Sequence, residues 1–416
     1  MTPLALVSLL LCTAAIFGWI SSRWLKLPIT IGTMTLTGIS SIALLSFGAS
    51  GLRSWATGVV QQIDFEQLIL HGMLPLLLFA GAFLLDIKLL AREKFVVTIL
   101  SLLGTVFSAV LVAVLMRWIM FVLGMDVGWL SCLFFGALIS PTDPIAVLEM
   151  LRRVGVPGNV QAQLAGESLF NDGVGAVLFL ALLDASRGAT PTISHVALSL
   201  LVKAGGGLAL GIIAAWPASV LMRRVQSYQV EILFTLTLAM GGYALAEALH
   251  VSAPLEAVAA ALALRRFNMN HAHAEIAHES IDKFWELIDE VMNSLLFVLL
   301  GLEVLAIAFP AMSLRSGLAA IVVVTGVRLG VVALLIGTIR LLRPRTRSSI
   351  LILSWGGLRG GLSIALALLV PVAAGRTWIL ATTYIVVVFS IALQGGLMDF
   401  FLKRWNLSAE TSSLPE

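Results

Sequence analysis

Apolar residues run in long blocks along this chain, broken by short polar turns, from residue 3 to residue 403. A block of ~20 residues is long enough to cross the hydrocarbon layer of a membrane as a helix. Such blocks lie near 3–22, 28–48, 65–85, 95–121, 127–150, 160–184, 194–222, 229–250, 252–267, 284–309, 313–340, 348–374 and 376–402. The pattern predicts an all-α polytopic membrane protein with about thirteen transmembrane helices. Composition points the same way: 59% of the residues are hydrophobic and 12% charged, against about 25% charged in soluble proteins.

Charge placement orients the bundle. Of the 26 Lys and Arg, five (Arg53, Arg117, Arg187, Arg315 and Arg376) fall on one side, and Lys203, Arg328 and Arg359 fall inside crossings. The rest gather on the other side, which is the cytoplasmic side by the positive-inside rule. The N-terminus is therefore expected outside and the C-terminus in the cytoplasm, in the cell membrane. The excess of basic residues reflects these loops and implies no nucleic acid. Residues 1–22 lack the basic start and small-residue cleavage site of a signal peptide and read as a first crossing. Cys12 and Cys132 both fall in crossings, which argues against a disulfide. The longest hydrophilic stretch is Asn268 to Asp282, and a short cytoplasmic tail, 405–416, is expected after the last crossing. No soluble domain and no nucleotide-binding loop are read, so ATP-driven transport by this chain has no support, and no cofactor is implied.

Two crossings carry helix breakers at membrane depth. The fifth contains "ALISPTDPIAVL", with Pro141 and Pro144 around Thr142 and Asp143; the twelfth contains "SWGGLRGGLSIAL", with glycines around Arg359. They are the middle members of crossings four to six and eleven to thirteen, and the odd spacing makes the two triplets run in opposite directions. Broken helices at matching positions of inverted repeats point to a secondary transporter's binding site. The reading is of two discontinuous, crossed helices, with Asp143 facing paired N-termini and Arg359 facing paired C-termini.

The sixth crossing holds "GESLFNDGVGAVLF". On a helix turning about 100° per residue, Ser168 lies about 40° from Asp172 while Glu167 lies about 140° away. Asp172 and Ser168 therefore share one polar face, and Glu167 needs a partner elsewhere, for which Arg328 in "VTGVRLGVV" is the candidate. A partly desolvated carboxylate such as Asp172 can hold either a proton or a hard monovalent cation, but not both. If only loaded forms cross, the result is exchange. Glu167 and Arg328 read as a fixed ion pair, since Arg does not release its proton in the working range. Lys203 is expected to snorkel or pair locally. Glu247, Glu256 and Glu303 are expected near membrane interfaces, whereas Glu286 and Asp289 are placed along an inward funnel that attracts cations. His271, His273 and His278 fall in the longest loop at spacings irregular for a metal site, so a solvated loop is the expectation.

These motifs, "SPTDPIAVL", "GESLFNDGVG", the Arg of "GVRLG" and "WGGLRGGLSIAL", in that order, resemble the monovalent cation/proton antiporters of the NhaP and NHE branch. "MLPLLLFAGAFLLD" is similar to that family's third crossing. The resemblance implies a homodimer in which a core moves against a dimerising scaffold by an elevator-like motion. Residues 1–93 and 185–312 would form the scaffold with a linker helix, and 94–184 and 313–404 the two halves of the core. Carried over, Asp172 is the shared cation and proton site, Ser168 and Thr142 help hold Na+, and Asn171 orients the site. Glu167 pairs with Arg328, and Asp143 and Arg359 balance the crossed helix ends. The single-Asp motif is associated with electroneutral exchange.

Sodium/proton exchange, with Li+ also accepted, is the leading expectation. Exchange of K+ for H+ stays open, because selectivity depends on cavity geometry beyond ligand identity. A gated cation channel would use the same acid as a filter. An intramembrane enzyme has little support, with no nucleophile and base pair or metal-binding His cluster at membrane depth.

Overall fold

The computed structural model describes residues 3–25, 29–61, 63–186, 193–225, 227–268, 275–305, 311–342 and 349–404. Among these residues the chain is helical, with no strand. The helices, in order, are α1 (Leu4–Leu25), α2 (Ile29–Phe47), α3 (Ser50–Gln61), α4 (Leu68–Phe83), α5 (Ile87–Val122), α6 (Trp129–Ile139), α7 (Ile145–Val154), α8 (Gly158–Ser186) and α9 (Ile193–Met222). Then come α10 (Tyr228–Ala248), α11 (Ala253–Asn268), α12 (Glu275–Glu303), α13 (Ala311–Leu342), α14 (Ile350–Trp355), α15 (Gly361–Leu369), α16 (Arg376–Gly395) and α17 (Met398–Arg404). By length and apolarity α1, α2, α5, α8, α9, α10, α13 and α16 qualify as membrane spans, with α4 and α6 as shorter apolar helices. The charges of α12 and the breaks in the fifth and twelfth blocks explain why other expected crossings are less plain by composition.

Local chemistry sets the ends. The Asp86 carboxylate accepts from the amides of Lys88 (2.8 Å) and Leu89 (3.1 Å), an N-cap that starts α5 at Ile87. The basic residues Lys88, Arg92 and Lys94, expected in a loop, therefore sit on the first turns of a helix. Gly155 closes α7 in the left-handed conformation (φ 77°), which costs a residue without a Cβ nothing. Two other readings need correction. The hydrophilic stretch up to Asp282 is already helical from Glu275, so α12 starts about two turns before the apolar block. The amphipathic α3 was not anticipated, because its apolar side (Ala56, Val59, Val60) is too short to read as a crossing. The unit boundaries read from sequence at 93/94 and 184/185 fall inside α5 and α8. His271 and His273 lie outside the described residues; His278 is on α12, and its side chain is not described.

Helix α11 is largely enclosed. Its Ala257, Val258, Ala260, Ala261 and Leu264 are buried, and α9 and α4 pack closely against it. Small side chains allow this close approach, which is how helices gain attraction in lipid, where burying apolar surface brings little. A second packed group joins α5, α6 and α8 to α13, α15 and α16, and the two broken blocks meet within it.

Candidate functional site

The two breaks are stitched together by backbone. The amide of Asp143, between α6 and α7, donates to the carbonyl of Leu358, between α14 and α15, at 2.8 Å. Glycine is required for this approach: a Cβ on Gly360 would run into the Asp143 carboxylate, and one on Gly357 would lie 2.9 Å from the Arg328 guanidinium and 3.0 Å from the Thr142 methyl. Each break exposes orphan groups that must be satisfied within the protein. Arg359, 3% exposed, donates from Nη1 to the carbonyls of Ser140 and Pro141 (the latter at 2.9 Å), just past the C-terminus of α6. The Asp143 carboxylate accepts from the amide of Ile145 at the start of α7 (3.1 Å) and lies against Gly360 at the start of α15. A cationic group thus sits at a helix C-terminus and an anionic one at helix N-termini, the arrangement that complements both helix dipoles.

Against the first break lies α8. Ser168 Oγ donates to the Thr142 carbonyl (2.6 Å), Asn171 Nδ2 donates to Thr142 Oγ1 (2.8 Å), and the Thr142 amide donates back to Asn171 Oδ1 (3.3 Å). Three hydrogen bonds therefore hold one threonine, and Asn171 and Thr142 are both 1% exposed. Asp172, one helical turn beyond Ser168, makes no hydrogen bond or ion pair with any described residue, and the neighbouring charge that acts on it is Asp143. The result is a carboxylate with free lone pairs beside hydroxyl and carbonyl oxygens already fixed in position, a donor set suited to a hard cation or a proton.

Glu167, on the opposite side of α8, is fully buried and paired with Arg328 of α13. The contact is bidentate: Arg328 Nη1 meets Oε1, and Nη2 meets Oε2 at 2.9 Å. Arg328 Nη2 also donates to the Leu353 carbonyl (2.8 Å), near the C-terminus of α14. The sequence reading missed this second contact. It makes Arg328 a tie between α8 and the second broken block as well as a counter-ion. A cavity of ≈ 10 Å³, about the size for one water, is lined by Arg328, Ser354, Gly357, Arg359, Ser390 and Gln394.

Other titratable groups sort differently from expectation. Glu256 on α11 and Glu303 on α12, read as interfacial, are buried, and their carboxylates have no partner among the described residues. Nearness to a crossing's end does not give access to water when neighbouring helices cover that end; the Glu256 carboxylate lies against Gly242 of α10. Glu247 is exposed and lies 3.2 Å from His71. Lys203 is paired with Asp184 at 2.9 Å. Glu286 is exposed and Asp289 half-buried. Cys12 and Cys132 are both free.

Residues 10–404 match the family model described as "Sodium/hydrogen exchanger, transmembrane". The Na(+)/H(+) antiporter NhaP of Pseudomonas aeruginosa is 38% identical over 400 residues, 94% of each chain. The Na(+)/H(+) antiporter NhaH of Halobacillus dabanensis is 31% identical over 355 residues, 84% of this chain and 86% of that one. The solved structure of the sodium proton antiporter MjNhaP1 from Methanocaldococcus jannaschii superposes with a TM-score of 0.75 at 20% identity, covering 98% of this chain and 100% of that one. That likeness establishes a shared fold, and the match of family model and relatives over nearly the whole length establishes that this multi-pass membrane protein belongs to the sodium/hydrogen exchanger family.

Proposed function

We propose that this protein is a secondary antiporter that exchanges Na+, and also Li+, for H+ across the cell membrane, with Asp172 as the site the two ions share in turn. One observation carries the reading: the Asp172 carboxylate has no partner among the described residues, although it is under the influence of Asp143 at the first break and one turn from Ser168, which with Asn171 holds Thr142. Glu256 and Glu303 also lack partners among the described residues; what sets Asp172 apart is the fixed Thr142 and Ser168 oxygens near it, which an exchanging ion can use. The names of the relatives, Na(+)/H(+) antiporters over nearly the full chain, support sodium and protons as the substrates. Ser168 and Thr142 complete the cation's oxygen ligands, Asn171 holds Thr142 in register, and Asp143 and Arg359 balance the helix ends. Glu167 and Arg328 form the rigid wall.

A single titrating carboxylate makes the cycle electroneutral, one cation for one proton. The core of α5 to α8 with α13 to α16 moves against the remaining helices in an elevator-like manner. The protein works as a homodimer, with its N-terminus outside and its C-terminus in the cytoplasm.

The test is collapse of an imposed pH gradient in proteoliposomes on addition of Na+, Li+ or K+, with membrane potential clamped or free. Collapse by Na+ and Li+ that is indifferent to voltage is expected. Equal collapse by K+ would replace the sodium assignment with a broader cation exchanger, and single-channel currents would replace exchange with a channel.

A further inference from the structure

The helix α12 carries a polar pair that the exchange site described above leaves unused. Asp289 and Asn293 are one turn apart on the same face. That face continues to Leu296, which packs where a Cβ on Gly361, the first residue of α15, would be. The neighbouring Gly360 lies against Asp143, so Asn293 sits about one turn along α12 from the contact that leads to the first break. Asn293 is 1% exposed; its amide oxygen has no hydrogen-bond donor among the described residues, and its side chain interacts with the Asp289 carboxylate one turn away. An amide oxygen buried this completely ordinarily accepts a hydrogen bond or meets a cation.

Beside it, the half-buried Asp289 feels three charges: Asp143 at the break, Glu290 next to it in sequence, and Arg152 near the end of α7. Arg152 lies nine residues beyond Asp143 in the chain, at the end of α7 that carries Arg152 and Arg153. Asp289 thus lies within electrostatic reach of both the break and that basic end.

We propose that Asp289 and Asn293 form a second, weaker monovalent-cation site on the route between the basic face of the bundle and Asp172, where a cation rests before it enters the exchange site. The Asp289 carboxylate supplies charge and the Asn293 carbonyl a neutral oxygen, a donor pair for a hard, partly hydrated monovalent ion. Arg152 and Asp143 act on its strength with opposite sign: the arginine weakens cation binding there, and the second carboxylate draws the ion inward. This inference rests on the antiporter reading, and its test separates the two.

Cation-driven pH-gradient collapse would be measured in everted and in right-side-out vesicles, for the parent, Asp289→Asn, Asp289→Glu and Glu290→Gln. For Asp289→Asn the apparent KM for Na+ should rise about fivefold at the Lys/Arg-rich face only, with the maximal rate kept within about twofold. Asp289→Glu, which keeps the charge, should recover most of the loss and also guards against a fold defect in the Asn variant. Glu290→Gln removes the same charge from an exposed neighbour and should leave both KM values near the parent's. Equal KM shifts at both faces, a loss of maximal rate without a KM shift, no shift for Asp289→Asn, or a Glu290→Gln effect as large as that of Asp289→Asn would overturn the proposal. If the parent itself shows no cation-driven collapse, the antiporter reading has failed, and the inner site falls with it.

Discussion

Glu167 and Asp172 stand five residues apart on one helix and have opposite surroundings. Glu167 is enclosed completely and meets a bidentate guanidinium, so its charge is compensated and its oxygens are occupied. Asp172 lies beside a threonine pinned by three hydrogen bonds, yet takes none of those bonds itself. The helical turn separates the two side chains by about 140°, so one faces α13 and the other the broken blocks. The difference teaches that burial alone does not mark a working carboxylate. A satisfied acid builds the wall, and an unsatisfied one beside preset oxygens is free to trade partners.

Replacing the two acids should therefore fail in different ways. Asp172→Asn should give the largest functional effect, abolishing cation-driven gradient collapse in proteoliposomes while leaving thermal unfolding in detergent close to the parent's. Retained exchange would sink the shared-site reading. Glu167→Gln or Arg328→Met should act on stability first, since stripping one partner from a buried pair costs about 3–5 kcal/mol. The double change should recover much of that loss, although the Leu353 contact would remain broken in any Arg328 variant. A double variant no better than the worse single would show that the pair does not act as a unit.

The smallest effect is expected at Glu256, buried and without a partner among the described residues, but set among α9, α10 and α11 rather than against the two broken blocks. Glu256→Gln should leave exchange within about twofold of the parent, because an unmade partnership has no hydrogen bond to lose. A loss approaching that of Asp172→Asn, measured in the same vesicles, would mean that lack of a partner matters more than the oxygens around the acid.

The site was legible where local chemistry writes it. Pro141, Pro144 and the glycines near Arg359 announce broken helices at membrane depth, and the 100° turn of α8 separates the roles of Ser168 and Glu167. The partner of Glu167 was also within reach, since few cations lie deep in the chain's apolar blocks. What could not be read depends on which helix covers which. Glu256 and Glu303 look interfacial from their distance to a block's end, yet other helices enclose them. Lys203 on α9 finds Asp184 on α8, and Arg328 reaches the end of α14 only because the second break folds back toward it. The helical starts at Ile87 and Glu275 were missed for another reason: an apolar-block criterion sees lipid contact, and a helix continues past the lipid wherever its caps and first-turn side chains allow.

By itself the sequence determined the class of molecule, the helical blocks, the two breaks and the charges that accompany them, because lipid imposes a length and a polarity on every crossing. Only the tertiary structure decided which charges are paired, which are sealed without partners and which stand open beside fixed oxygens. Those outcomes depend on contacts between residues as far apart as Glu167 and Arg328, or Asp143 and Leu358, and no local pattern encodes the distance between them.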